Sequence, residues 1–296
     1  MISSRKLHWL VWLMAAGVVA VACGGSSAPN AARPSPSPTR VGYLNIGSVQ
    51  RVYVTYRPKS AAIDKALPLV IAMHGYTADT TWMETNTKFD DLADREGFEV
   101  VYPQGSGNAW NAGRCCGHDG DDDVGFIRGI IDRLVAQGLV DRTRVFATGM
   151  SNGGLMAQRL ACDLADRITA AVSVSGSLVV DSCAPARPIS VMEMHGVEDD
   201  IVPLKGGVVA GLTSFPAALS NMQAWADRDG CRRTPKTVQD GITAVYTWLE
   251  CRSSVTVVLE EVAGAGHTWF SPDEMAGEPD ASATAWKFFQ QAPPLP

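Results

Sequence analysis

The residues with the plainest chemical potential are Gly149-Met150-Ser151-Asn152-Gly153, a G-x-S-x-G pattern. A serine hydroxyl becomes a useful nucleophile when a base takes its proton and nearby donors stabilise the oxyanion that forms. An apolar strand at 144–148 runs into the pattern and a helix at 152–162 runs out of it. The turn between two such elements is so tight that the flanking positions need glycine, because a Cβ would clash. It lifts Ser151 to a helix N-terminus, where free N–H groups and the helix dipole favour negative charge. A Gly-rich packing turn is the bland alternative, and the strand–turn–helix setting favours the nucleophile over it.

A serine needs a histidine base, and the base needs a carboxylate that fixes its tautomer. In this arrangement the chain order is Ser, then Asp or Glu, then His. Two histidines follow Ser151. His267 sits in the Gly-rich loop Gly264-Ala265-Gly266-His267-Thr268-Trp269, between a strand and the last helix, where the base is expected. His195 precedes the acid candidates and directly follows a strand, which suits a structural histidine better. The loop His195-Gly196-Val197-Glu198-Asp199-Asp200 offers three carboxylates, and spacing alone does not separate Glu198, Asp199 and Asp200. Two preorganised N–H groups are needed for the oxyanion. The backbone N–H of Asn152 is one candidate; that of Tyr76, in the loop His74-Gly75-Tyr76-Thr77, is the other. His74 is expected to brace that loop.

The elements that would position these residues alternate. Strands are predicted at 49–56, 68–73, 98–102, 144–148, 170–175, 189–194, 243–249 and 255–262. Helices are predicted at 80–96, 124–137, 152–162, 215–229 and 280–290, and residues 104–122 read as a long loop. Strands alternating with helices imply an α/β protein with a mostly parallel central sheet and helices on both faces. Ligands then bind beyond the carboxyl ends of the strands, where the candidate residues lie.

The chain has 296 residues, 46% apolar and 19% charged, which fits a globular domain and excludes a disordered one. A net charge of −6 argues against nucleic acid as the partner. Arg5 and Lys6 followed by the apolar stretch Leu10 to Ala22 read as a signal peptide, too short for a membrane span. Ala20-Val21-Ala22-Cys23-Gly24 resembles the lipobox of bacterial lipoproteins, although Ala20 stands where leucine is usual. The expected organisation is a signal peptide at 1–22, a Pro/Ser-rich tether at 23–40 starting at a lipid-bearing Cys23, and one catalytic domain at 41–296. That organisation implies export and attachment to the outer face of the cell membrane through lipid, or secretion.

Six cysteines remain: Cys115, Cys116, Cys162, Cys183, Cys231 and Cys251. An even number in an oxidising compartment suggests up to three disulfides. Cys231 and Cys251 flank a candidate hairpin and read as a local pair; the pairing of the other four stays open. Ligand spacing for a metal is lacking.

Taken in order, several stretches resemble one esterase family, that of secreted polyhydroxybutyrate depolymerases and feruloyl or acetylxylan esterases, all α/β-hydrolases. They are Met73-His74-Gly75, Trp110-Asn111-Ala112-Gly113, Cys115-Cys116-Gly117, Asp122 to Ile127, Ala147 to Gly154, Arg159 to Cys162, His195-Gly196 with Asp199 and Val202-Pro203, and Gly266-His267-Thr268-Trp269. The resemblance implies an α/β-hydrolase fold and places the acid on Asp199. It also implies that the Cys-Cys-Gly loop, Trp110 and Trp269 lie at the substrate cleft. Two departures, Phe270 after the His-Thr-Trp stretch and Tyr76 in the oxyanion loop, bear on substrate preference. The implied activity is hydrolysis of a carboxylic ester, of polyhydroxybutyrate, feruloyl or acetyl type, on a polymeric or polysaccharide-linked substrate among others, through an acyl-enzyme on Ser151, Asp199 and His267. No metal or organic cofactor is called for. The competing class is a non-catalytic surface lipoprotein that uses a hydrolase scaffold for binding.

Overall fold

The computed structural model describes residues 38–62, 64–209 and 213–296. The expected signal peptide, the lipidation site at Cys23 and the tether as far as residue 37 lie outside the described residues.

In chain order the elements are β1 (Thr39–Ile46), β2 (Val49–Tyr56), β3 (Leu67–Met73), α1 (Thr80–Thr87), α2 (Phe89–Glu96), β4 (Glu99–Pro103), α3 (Asp123–Ala136), β5 (Val140–Met150) and α4 (Asn152–Asp163). There follow β6 (Ala170–Val174), β7 (Ser190–Gly196), the short β8 (Gly207–Val208) and β9 (Ser214–Phe215), α5 (Ala218–Arg228), β10 (Lys236–Asp240), β11 (Thr243–Trp248), β12 (Val257–Val262) and α6 (Ala281–Gln291). Ten strands form one sheet in the order β1-β2-β4-β3-β5-β6-β7-β12-β11-β10. The run from β4 to β12 is parallel, and antiparallel strands complete both edges.

Side-chain alternation on β3 shows how the two layers arise. Leu69, Ile71 and Met73 pack with Phe126 and Ile130 of α3, Leu155 of α4 and Trp225 of α5. Val70 and Ala72 point the other way, to Met83 of α1, Phe89 of α2 and Trp286 and Phe289 of α6. A strand buried on both faces reads as a near-continuous apolar run, as β3 does.

The predicted helix 80–96 is two helices. Lys88 breaks it in a left-handed conformation at φ 52°, and Gly97 ends the second helix at φ 80°. The edge strands β1 and β10 were not predicted. Every residue of β10 is exposed, so it lacks the apolar pattern that marks a buried strand.

Cys231 and Cys251 are joined, closing the β10–β11 hairpin as expected. Cys162 pairs with Cys183, tying the end of α4 to the loop after β6, and Cys115 pairs with Cys116. No helix among the described residues is long and apolar enough to cross a membrane.

Candidate active site

Strands β3, β5, β7 and β12 run parallel, so their carboxyl ends open on one side of the sheet. The loops there carry Tyr76, Ser151, Asp199 and His267, in that strand order.

Ser151 links β5 to α4 at φ 55° and ψ −121°, a conformation that costs a non-glycine residue free energy. The flanking glycines are required by space. A Cβ on Gly149 would lie 2.5 Å from backbone atoms of Gly153, and one on Gly153 would lie 2.1 Å from the Met73 carbonyl oxygen. The close approach of α4 to the end of β3 therefore sets the turn. Ser151 N–H donates to Val174 O at 2.8 Å, which fixes the turn from the β6 side as well.

Asp199 and His267 meet, although they are far apart in sequence. His267 Nδ1 lies 2.8 Å from Asp199 Oδ2. Their loops are stitched together first. Glu198 N–H donates to Ala265 O at 3.0 Å, Val197 N–H donates to Val262 O at 3.0 Å, and a Cβ on Gly196 would strike Ala265 O at 2.3 Å. Asp199 Oδ1 accepts from the N–H groups of Ile201 and Val202 at 3.0 and 2.8 Å. Burial alone would raise its pKa, but donation from His195 and His267 outweighs that and holds the carboxylate well below its usual range. Glu198 and Asp200 are exposed, whereas Asp199 is 5% exposed. Among the described residues no hydrogen bond joins Ser151 to His267, a contact that commonly tightens only with substrate.

Asn152 and Tyr76 flank Ser151. Among the described residues no protein acceptor meets the backbone N–H of either. The Asn152 side chain is buried and pairs with both backbone groups of Trp110: its Oδ1 accepts from Trp110 N–H at 2.7 Å and its Nδ2 donates to Trp110 O at 2.9 Å. His74 braces the Tyr76 loop. Its Nδ1 meets Gly75 O at 2.8 Å and its Nε2 accepts from Gly105 N–H at 3.0 Å, while burial lowers its pKa.

The placement of Trp110 and Trp269 corrects an expectation. Trp110 is 0% exposed, with its ring N–H donating to His74 O at 2.9 Å. Trp269 is 3% exposed, stands edge-on to Phe89 and donates to Ser282 Oγ at 3.2 Å. Both rings are spent on packing and neither presents a face to a substrate. Tyr76, half exposed, lines a cleft together with Arg114, Cys115, Cys116 and Asp119.

A buried polar group behind the site was not foreseen. Glu193 and His195 on β7, Gln158 on α4, Asn221 and Trp225 on α5, and Ser177 are all buried and hydrogen-bonded to one another. The sequence signal for it is Glu193-Met194-His195, two ionisable residues one pleat apart in an otherwise apolar strand.

A mostly parallel sheet with helices on both faces and a serine on a strand–turn–helix elbow defines an α/β-hydrolase. The acetyl xylan esterase from Aspergillus awamori has this fold: it superposes with a TM-score of 0.61 at 19% identity, over 86% of this chain and 100% of that one. The chain belongs to the Esterase PHB depolymerase family, whose sequence profile matches residues 51–230. It is 34% identical over 223 residues to feruloyl esterase B of Piromyces equi, covering 71% of this chain and 41% of that one. It is 27% identical over 225 residues to the bifunctional acetylxylan esterase/xylanase XynS20E of Neocallimastix patriciarum, covering 74% and 31%. The matches thus span well under two thirds of either relative's length. The family resemblance read from the motifs holds.

Proposed function

We propose that the chain is a serine esterase in which Ser151 is the nucleophile, His267 the general base and Asp199 the residue that orients it. The observation that carries this reading is the 2.8 Å contact between His267 Nδ1 and a buried Asp199, at the strand ends where Ser151 sits in a strained turn. With Nδ1–H held by Asp199, the His267 tautomer leaves Nε2 free to take a proton. Ser151 attacks the ester carbonyl as His267 takes its proton, and the backbone N–H groups of Asn152 and Tyr76 hold the oxyanion. His267 returns the proton to the leaving alcohol, then activates water to release the acid. The names of the relatives favour feruloyl or acetyl esters linked to polysaccharide as the substrate class. The full chain should hydrolyse p-nitrophenyl acetate and methyl ferulate and react with a fluorophosphonate. Ser151→Ala should lose about 10⁴-fold or more in kcat and all labelling. A folded, disulfide-intact wild type that neither labels nor hydrolyses would overturn the reading and leave a binding scaffold.

The N-terminal pattern and three disulfides in the domain support export, with lipid on Cys23 as the anchor. Cys23→Ala should move the protein from the membrane fraction to the soluble one; unchanged fractionation would refute the anchor.

A further inference from the structure

We infer that His195 is a permanently charged imidazolium behind the Asp199–His267 pair, a positioning residue that holds Asp199 and sets how readily His267 takes a proton. The inference rests on the esterase reading above.

Proton positions follow from obligate donors. Trp225 Nε1 can only donate, and it donates to Gln158 Oε1 at 2.8 Å, so the Gln158 amide has one orientation. Leu178 N–H donates to Asn221 Oδ1 at 3.3 Å and fixes Asn221 likewise. The NH₂ groups of both amides therefore face Glu193, donating to its Oε2 at 3.0 and 2.8 Å. Ser177 Oγ donates to Oε1 at 3.0 Å. Three donors leave Glu193 as an acceptor, so the proton between it and His195 Nδ1, 2.9 Å away, sits on the more basic imidazole.

The other ring nitrogen also meets only acceptors. His195 Nε2 lies 2.7 Å from the carbonyl oxygen of Val202 and 3.5 Å from Asp199 Oδ2. A neutral imidazole has one donor and one acceptor nitrogen, and here an acceptor would be wasted on a carbonyl. Both nitrogens therefore carry protons. Burial opposes the charge, yet the two carboxylates prevail and the pKa is raised to about 10.

The charged groups facing the ring are Glu193 on its own strand and Asp199 on the loop that follows, with His267 beyond Asp199. The side chains that α4 and α5 bring to this cluster, Gln158, Asn221 and Trp225, are neutral. Two carboxylates and one imidazolium carry a net charge of one, which a single proton on His267 balances. Without the charge on His195 the cluster would carry two negative charges, and the pH profile of the reaction would move to higher pH. His195 is buried and touches no reacting atom.

Two measurements on the full chain test this. With ¹⁵N-labelled histidine, long-range ¹H–¹⁵N spectra should show both ring nitrogens of His195 protonated at pH 8, the resonance being assigned by its loss in His195→Gln. In kcat/KM for p-nitrophenyl acetate, the acid limb of His195→Gln should lie higher by roughly half a pH unit or more. A ring with one bare nitrogen at pH 8, or an acid limb that coincides with the wild type, overturns the inference. If His195→Gln does not fold, the resonance is assigned by elimination from Gln variants of the other histidines, His74→Gln, His118→Gln and His267→Gln among them, and the wild-type spectrum at pH 8 decides. A wild type without esterase activity would sink the esterase reading, and the spectrum would still decide the charge on His195.

Discussion

Asn152 carries two duties on one residue. Its N–H is proposed for the oxyanion, while its side chain bonds to the backbone N–H and carbonyl of Trp110. Asn152→Ala leaves the buried Trp110 N–H unpaired, while Trp110 O keeps its bond from Gly117 N–H. It should cost about 1–3 kcal/mol in urea unfolding and lower kcat through a displaced elbow. An unchanged unfolding midpoint would show that the peptide finds other partners. The proposed oxyanion role of Asn152 can be read from the sequence because it depends only on position in the motif. Its side-chain role cannot, because the partner lies 42 residues away in a loop without periodicity. The same limit hid the burial of Trp110 and Trp269. A tryptophan beside a motif reads alike whether it lines a cleft or packs beneath it.

The elements explain which parts of the fold the sequence could reveal. Strand β3 announces itself as an apolar run, β5, β6, β7 and β12 do so over shorter apolar stretches, and turn glycines lie near their ends. Strands β1 and β10 lie at the two sheet edges, largely exposed, and carry no such mark. The break at Lys88 depends on one residue adopting φ 52°, which composition does not signal. The glycines of the elbow were legible because sterics alone demands them. Gly153→Ala puts a methyl group into the Met73 and His74 carbonyls, at 2.1 and 2.6 Å. Backbone must shift, so the cost should reach the upper part of the about 1–3 kcal/mol usual for overpacking, with activity lost as α4 moves off β3. Thermal unfolding beside residual esterase activity measures both. A variant with wild-type melting and full rate would mean that α4 and β3 can part without consequence.

For the whole molecule, the charge on His195 ties stability to pH. A histidine whose pKa is raised in the folded state stabilises fully below its unfolded value of about 6.5, and that contribution is lost as pH rises through about 10. The urea midpoint should therefore fall between pH 7 and 9.5 in the wild type, and fall less steeply in His195→Gln. Parallel slopes would contradict the linkage. The loop over residues 104–122 has a different bearing on the molecule. It is clamped at Trp110 by Asn152, and at Asn111 by Asp123, which accepts from the Asn111 N–H at 2.7 Å while paired with Arg51. Arg159 Nη1 donates to Asn111 O and Arg114 N–H to Val179 O. The clamps belong to the scaffold, whereas Arg114, Cys115, Cys116 and Asp119 face the cleft. On the proposed esterase reading such a loop is an exchangeable cassette: its cleft-facing positions can be rewritten for a new acyl or alcohol group while the anchors, and with them the serine elbow, stay as they are.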